Sequence, residues 1–202
     1  MSPRTYQMQR RRESTDENRQ RILAAARELL MLQPGRVRFS LEEVARRAGV
    51  ARMTVYYQFG SLRGLLEALL DSLASAGGMH HLGEAFRQAD ARAAIDHFIA
   101  VFIGFWESDR LVLRGLGALT TLDPELAAVV EERSGWRRKG ARILIERVMK
   151  QTRRPSRKEM EEAEDVLFLL TSFATYDTLA GDRRTKEEVA ALVQRLARRT
   201  LG

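Results

Sequence analysis

The chain lacks cysteine altogether, and this absence excludes a disulfide framework and any thiolate metal site. Proline is scarce, with four residues in 202, and the 30% of charged and 45% of hydrophobic residues are typical of a folded globular protein. Long apolar runs are also missing: the most apolar segment, residues 91–106, contains Asp96 and His97 and is shorter than the roughly 20 residues of a membrane-spanning helix. We therefore expect a cytoplasmic protein with a substantial core and no membrane role.

Residue patterns for catalysis and for metal binding are missing as well. Gly115 and Gly117 lack the third glycine and the preceding strand of a dinucleotide-binding fingerprint, and the sequence contains no Walker A loop. The three histidines, His80, His81 and His97, do not have the spacing of a zinc site. We expect no enzymatic activity, no metal ion and no cofactor.

Positive charge is distributed unevenly along the chain. Residues 1–70 contain 13 Lys and Arg against 7 Asp and Glu, whereas residues 71–202 contain 21 against 20. The net charge of +7 therefore lies almost entirely in the first part of the chain. Such a concentration is an electrostatic footprint for a phosphate backbone. The alternative is a generally basic protein, because arginine outnumbers lysine by 30 to 4.

Residues 39–70 contain the most informative pattern, which begins with a short amphipathic helix. Ser40 and Glu43 have the S-x-x-E spacing of a capping box, and apolar residues then recur at helical spacing as far as Ala48. Gly49 follows at the position of a left-handed C-terminal cap. We expect a helix that ends in a tight turn.

A second short helix is predicted directly after this turn. Val55 and Phe59 share one face of it, while Met53, Tyr56 and Tyr57 point roughly to the opposite side. A helix, a glycine-containing turn and a second helix with a polar and aromatic outer face form the helix-turn-helix arrangement that binds DNA.

The flanking segments complete a three-helix domain and a connector. A helix is expected from about Ser14–Glu17, a second S-x-x-E box, to about Leu32, where Gln33-Pro34-Gly35 ends it. Ser61 is a good N-cap for a leucine-rich helix that continues to about Ala76. We predict a disordered basic arm over residues 1–13, a DNA-binding domain over 14–76 and a helical ligand-binding and dimerisation domain over 77–202.

The stretch T-V-Y-Y-Q-F-G-S-L-R-G-L-L, from Thr54 to Leu66, resembles the N-terminal domain of TetR-type transcriptional regulators. The likeness extends over Ile22–Leu70, and the helical patterns of the remaining chain agree with it. The resemblance implies an all-α regulator that binds an inverted-repeat DNA operator as a homodimer and responds to a small molecule. Repression is the commoner mode in this family.

Three positions depart from the family pattern. Ala51 stands where the family commonly has a Ser or Thr that caps the recognition helix, and Gln58 replaces the usual His. Leu62 replaces a Lys that typically faces phosphate, and Arg63 follows one residue later. Because of these departures, a second hypothesis is a helical small-molecule-binding protein in which DNA binding is weakened or lost.

The candidate DNA-binding residues lie on and around the second helix. They are Ser40, Arg52, Met53, Thr54, Tyr56, Tyr57, Gln58 and Arg63. Arg52 is placed to reach base edges, because arginine binds guanine O6 and N7 bidentately. The tyrosine hydroxyls, Thr54 and Gln58 are suited to phosphates, which position a protein without reading sequence. The alternatives are a solvent-exposed Arg52, a Met53 that packs beside the turn, a tyrosine that is partly core and a Ser40 that only caps its helix.

The rest of the chain reads as further helices, with no alternating strand pattern and no repeat. Capping boxes at Ser156/Glu159 and Thr185/Glu188 start the last two helices, which are expected to reach about Ala180 and Thr200. An antiparallel pair at a chain terminus can associate with its own copy as a four-helix bundle. We expect homodimerisation through residues of about 156–181 and 185–200; the alternative is that both apolar stripes pack only onto their own core. The stripes are Val166, Leu170, Phe173, Asp177 and Ala180 on the first helix, and Val189, Leu192, Val193, Leu196 and Ala197 on the second.

Aromatic residues at helical spacing are the candidates for an apolar effector site. They are Phe98, Phe102, Phe105, Trp106, Phe173 and Tyr176. Ligand sites are commonly lined by such side chains, but the same spacing is equally typical of an ordinary core. The effector site is therefore a hypothesis that depends on the resemblance.

Overall fold

The computed structural model describes residues 3–32, 39–152 and 155–201, and every regular element in these ranges is helical. The elements are α1 (Pro3–Met31), α2 (Leu41–Ala48), α3 (Arg52–Phe59), α4 (Leu62–Ala76), a 3₁₀ turn (Met79–His81), α5 (Leu82–Arg87), α6 (Ala91–Ser108), α7 (Arg110–Leu122), α8 (Pro124–Thr152), α9 (Arg157–Leu170), α10 (Phe173–Ala180) and α11 (Lys186–Leu201). The predicted all-α class is confirmed. Within these ranges, no helix combines the length and the apolar character that crossing a membrane requires.

The chain forms two compact units. The first consists of Met1–Ser72 with Leu111–Val129, and the second of Leu73–Arg110 with Val130–Gly202. The functional boundaries at residues 14–76 and 77–202 stay a prediction.

The first helix starts earlier than the sequence pattern indicates. It begins at Pro3, so the predicted start near Ser14 is wrong, and residues expected to form a disordered arm are helical from Pro3 onward. Arginine, glutamine, methionine and glutamate are good helix formers, and proline is tolerated in the first turn because its missing N–H would have no helical partner there. The predicted stop at residues 33–35 lies outside the described residues.

The core of the first unit holds α1, α2 and α3 together. It is formed by the buried residues Ile22, Ala25, Ala26, Leu29, Leu30, Val44, Ala45, Ala48, Val55, Leu65, Leu66, Leu69 and Leu70, with Val112, Leu113, Leu116, Leu126 and Val129. Gly115 on α7 lies so close to α1 that a Cβ there would be 1.8 Å from the carbonyl oxygen of Leu30. Burying one large aliphatic side chain contributes about 1.5–3 kcal/mol, so this set accounts for the packing of α1–α3.

The core of the second unit is centred on α6, where Phe98, Ile99 and Ile103 are at most 1% exposed. Val189 and Val193 of α11 are fully buried in the same core, and Gln194 Nε2 donates a hydrogen bond to the carbonyl oxygen of Asp96 at 3.0 Å. The expectation that the apolar stripe of α11 faces a second copy is therefore wrong for Val189, Val193 and Ala197.

The helix predicted to run from residue 156 to about 180 is interrupted in the middle. Thr171 and Ser172 separate α9 from α10, and Ser172 Oγ caps α10 by accepting from the Thr175 N–H at 3.1 Å. Trp106 Nε1 donates to the Thr171 carbonyl at 2.9 Å, and Arg137 Nη1 donates to the Phe168 carbonyl at 2.5 Å. These two side chains, both distant in sequence, stabilise the free carbonyls at the end of α9.

Candidate nucleic-acid interface

Helix α2 begins at Ser40, but only half of the predicted capping box forms. Ser40 Oγ accepts from the Glu43 N–H at 3.2 Å, whereas the Glu43 carboxylate binds Arg46, whose Nε lies 3.0 Å from Oε2. This hydrogen bond from Arg46 lowers the pKa of Glu43. Arg47 is also paired, with its Nε 2.7 Å from Glu28 Oε2 on α1. The charges of Arg46 and Arg47 are therefore partly neutralised by neighbouring carboxylates.

The turn between α2 and α3 has the predicted left-handed glycine. Gly49 has φ 64° and ψ 37°, a conformation that costs glycine little because it has no Cβ. Its N–H donates to the Arg46 carbonyl at 3.3 Å, and the Val50 N–H donates to the Ala45 carbonyl at 3.0 Å. These bonds close the end of α2 and direct the chain into α3.

Arg21 on α1 holds this turn from outside, and sequence patterns gave no signal for it. Its Nη2 donates to the Ala48 carbonyl at 2.7 Å and to the Gly49 carbonyl at 3.3 Å. The guanidinium therefore satisfies carbonyls that a helix leaves unpaired at its C-terminal end.

Helix α3 is fixed by its inner face. Val55 is completely buried, and Phe59 is half-buried beneath the guanidinium of Arg19, whose Cζ lies 4.8 Å from the ring centroid. Ala51 makes no side-chain capping bond, as predicted, and Gly60 ends the helix with φ 73°. A Cβ on Gly64 would be 2.1 Å from the Phe59 carbonyl oxygen, so α4 also approaches this helix closely.

The outer face of α3 presents four of the candidate DNA-binding residues to solvent. Arg52 is exposed, and it forms no hydrogen bond or ion pair with any residue that the structure describes. Met53 is 51% exposed, Tyr56 52% and Tyr57 80%, and the two tyrosine rings pack edge to face at 6.4 Å. Neither tyrosine belongs to the core. The helix thus carries a cation, two phenols and a thioether on one accessible surface.

The remaining candidates lie at the margins of this surface. Thr54 and Gln58 are half-buried, and Gln58 Nε2 donates to the Thr15 carbonyl of α1 at 3.0 Å. Gln58 therefore also fastens α3 to α1, with a second N–H and the amide oxygen left for other partners. Arg63 is exposed at the start of α4, and its Nε lies 2.8 Å from Glu67 Oε1. Ser61 caps α4 as predicted, by accepting from the Gly64 N–H at 3.1 Å.

The candidate effector residues lie in the second unit, and five of the six form a continuous aromatic cluster. Ring centroids are 4.8 Å apart for Phe98–Phe102, 6.0 Å for Phe102–Trp106 and 5.7 Å for Trp106–Phe173. Phe105 packs on Trp106 at 4.6 Å, while Trp106 and Phe173 stay half-buried. The sixth, Tyr176, is completely buried, and its hydroxyl has no hydrogen-bond partner in the described structure.

No group of three His, Asp or Glu among the described residues could hold a metal ion.

The geometry of α2 and α3 coincides with a family match. Residues 22–69 match the sequence profile of the family described as bacterial regulatory proteins, tetR family. Over these residues, which include α2 and α3, the chain therefore matches the TetR family. No curated protein sequence matches the chain.

Solved structures of TetR-type regulators have the same fold over nearly the whole chain. NalD of Pseudomonas aeruginosa, the secondary repressor of the MexAB-OprM multidrug efflux pump, is similar with a TM-score of 0.69 at 21% identity, covering 93% of this chain and 96% of its own. A TetR-like transcriptional regulator from Rhodococcus sp. RHA1 gives 0.66 at 21% identity, covering 91% and 95%. The TetR-like regulator LfrR of Mycobacterium smegmatis, in complex with proflavine, gives 0.54 at 20% identity, covering 91% and 96%. The TetR-type fold therefore includes the second unit.

Proposed function

We propose that the chain is a sequence-specific transcriptional repressor that binds an inverted-repeat operator as a homodimer and is released by a small, largely apolar ligand. The proposal rests on the two faces of α3. Val55 on the inner face is buried in the three-helix core, while Arg52, Tyr56 and Tyr57 are exposed on the outer face. Such a helix is suited to entering the major groove of DNA, where its amino-terminal residues reach the base edges. The excess of basic residues in the first 70 positions favours the same partner.

The exposed residues divide into reading and positioning roles. Arg52, in the first turn of α3, is the residue that reads a base, through a bidentate contact with guanine. Met53 contacts a thymine methyl group beside it. Tyr56 and Tyr57 donate to phosphates.

Neutral and charged groups around α3 supply further phosphate contacts. Thr54, Gln58 and Ser40 donate hydrogen bonds to phosphates, while Gln58 also fastens α3 to α1 and Ser40 also caps α2. Arg63, which is paired with Glu67 at the start of α4, supplies a guanidinium that can also donate to a phosphate. Such contacts set the register of the protein on the duplex and carry no sequence information directly.

Dimerisation uses α9, α10 and the exposed side of α11. Leu169 of α9 is 62% exposed and Leu196 of α11 is 37% exposed. Both are large apolar side chains that lie in contact with water. An isologous pairing of these faces removes the exposed leucines from water. Two recognition helices related by a two-fold axis then require half-sites about 34 Å apart, or a multiple of that distance.

The effector is bound by the second unit, beside the half-buried rings of Trp106 and Phe173. Its binding favours a conformer in which α4 is tilted, so that the two recognition helices no longer fit successive grooves. A ligand shifts this equilibrium only as far as its affinities for the two conformers differ. The complex of LfrR with proflavine is consistent with a ligand of this kind in a protein of the same fold.

Sequencing the genomic DNA fragments that the purified protein retains tests the proposal directly. The expected result is enrichment of fragments that share one inverted repeat, and loss of this enrichment in the Arg52→Ala variant. Retention of no fragment above background contradicts DNA-binding regulation and favours a helical small-molecule carrier.

A further inference from the structure

Arg137 on α8 is a buried cation with no directly paired carboxylate among the described residues. The residue is 8% exposed, and it forms no ion pair with any of the carboxylates in the described part of the chain. Burial, and to a smaller extent the charge of Arg138, lower the pKa of its guanidinium to about 10, with the charge of Glu131 acting in the opposite direction. The group is still protonated at neutral pH. A buried charge without an ion pair is energetically unfavourable. Binding of an anion beside Arg137 would therefore be stabilising.

The contacts of Arg137 leave one edge of the guanidinium available. Nη1 donates two hydrogen bonds, to the Phe168 carbonyl at 2.5 Å and to Thr171 Oγ1 at 3.2 Å. Nη2 and Nε form no hydrogen bond with the described residues. Neither atom is fully buried. These two nitrogens, whose N–H bonds are parallel on one edge of the guanidinium, therefore keep a small exposed surface and are free of the described residues.

Two aromatic rings lie close to this cation. The guanidinium carbon lies 3.9 Å from the ring centroid of Phe168 and 5.9 Å from that of Phe102, which continues into the half-buried Trp106 and Phe173. A guanidinium stacked on a ring is held in its plane, which fixes the direction of its donors. A cation with fixed donors beside accessible aromatic surface has the composition of a site for an aromatic anion.

We infer that Arg137 anchors the carboxylate of an aromatic or otherwise apolar acid, whose apolar part packs on the rings of Trp106 and Phe173. A carboxylate fits better than a phosphate, because one guanidinium fork matches its two oxygens and neutralises its single charge. The inference rests on the proposed function, since it names the chemical class of the effector.

The neighbouring arginine provides a matched control. Arg138 also lies over Phe168, at 4.1 Å from the ring centroid, but it is paired with Asp165 at 2.7 Å and Glu164 at 3.2 Å. Its charge is therefore already compensated. Substituting Arg138 changes the same ring's environment without removing an unpaired cation.

Isothermal titration of the full-length protein with 2-naphthoate and with the neutral 2-naphthalenemethanol tests the inference. The wild type is expected to bind the acid at least about tenfold more tightly than the alcohol, as expected for a charge-assisted hydrogen-bonded pair. Arg137→Met should reduce the ratio to near one, Arg137→Lys should leave an intermediate ratio, and Arg138→Met should preserve it. Circular dichroism and melting curves check that each variant is folded. If Arg137→Met does not fold, the comparison is made with Arg137→Lys.

Two results overturn the inference: equal affinities of the acid and the alcohol for the wild type, or no measurable binding of the acid. A preference for the acid that survives in a folded Arg137→Lys or Arg137→Met variant at its full wild-type ratio assigns the charge to another group and overturns it too. DNA retention is measured separately on the same preparations. Loss of DNA binding with an intact preference for the acid contradicts the proposed function alone, whereas DNA binding without that preference contradicts only the role of Arg137.

Discussion

Arg21 and Ala48 are joined across 27 positions of sequence by a 2.7 Å hydrogen bond from a guanidinium nitrogen to a main-chain carbonyl. This bond ties the first helix to the turn between α2 and α3. A long-range contact therefore helps to fix the orientation of α3.

Replacing Arg21 by Met removes this bond while keeping an apolar stem on α1. We expect the free energy of unfolding to fall by about 1–2 kcal/mol, because the carbonyls at the end of α2 lose a charged donor. DNA affinity should fall as well, since α3 is less well oriented. Chemical denaturation and gel-shift titration measure the two effects. Gln20→Ala, at an exposed neighbouring position, should change neither quantity, and unchanged stability of Arg21→Met would show that the bond is dispensable.

Replacing Arg52 by Ala should weaken operator binding by roughly 1–3 kcal/mol and relax the preference at one base pair. The free energy of unfolding should stay the same, because Arg52 makes no bond with the described residues. Binding to a library of operators with single base changes measures the preference. Arg46→Ala is the control, since Arg46 is already paired with Glu43. An unaltered base preference in Arg52→Ala would refute the reading role.

Replacing Tyr57 by Phe removes only the hydroxyl of the most exposed aromatic side chain on α3. We expect a similar loss for operator and non-operator DNA, about 0.5–1.5 kcal/mol, because a phosphate contact carries no sequence information. The same library of operators measures this. A loss confined to one base pair would instead assign Tyr57 to base reading.

Residues 1–12 contribute four arginines to the basic half of the chain. If they follow the DNA backbone, their deletion should lower the affinity for all duplexes and make the dependence of log K on log salt less steep, by about 0.9 for each phosphate that the deleted residues neutralise. Binding measured over a range of salt concentrations gives this slope. Substituting the four arginines by glutamine separates the charge from the length of the helix, and an identical slope in both variants and the wild type would exclude the contact.

Two serines with the same sequence signature provide a test of where helices begin. Ser156 forms a complete capping box with Glu159, so Ser156→Ala should cost about 1 kcal/mol of stability. Ser14 lies inside α1, so Ser14→Ala should have little effect or a slightly favourable one. Urea denaturation of both variants measures this. A comparable loss in Ser14→Ala would indicate that α1 starts at Ser14 in solution.

Local patterns predicted the helix-turn-helix because its determinants are close in sequence. Gly49 adopts the left-handed conformation that its position after Ala48 indicates, and Ser40, Ser61 and Ser156 cap the helices that follow them. The burial of Val55 beside an exposed Tyr57 also follows from the helical period. These features depend on residues within about one turn of each other.

Competing local partners limited the prediction elsewhere. Glu43 has the spacing of a capping box, but Arg46, three residues on, binds its carboxylate instead. The box at Ser14 lies within a helix that has already begun at Pro3. Spacing alone does not decide between two partners of similar energy.

By itself, the sequence determined the all-helical class, the place of α3 and the side of it that faces outward, because helical period and capping act over a few residues. Only the tertiary structure decided that Arg21 closes the turn, that α9 ends at Leu170 and that α11 buries Val189 and Val193 in its own unit. Tertiary structure also placed Arg137 among aromatic rings, with no ion pair to a carboxylate of the described residues. These outcomes depend on contacts between residues far apart in the chain, whose energies a local pattern does not contain.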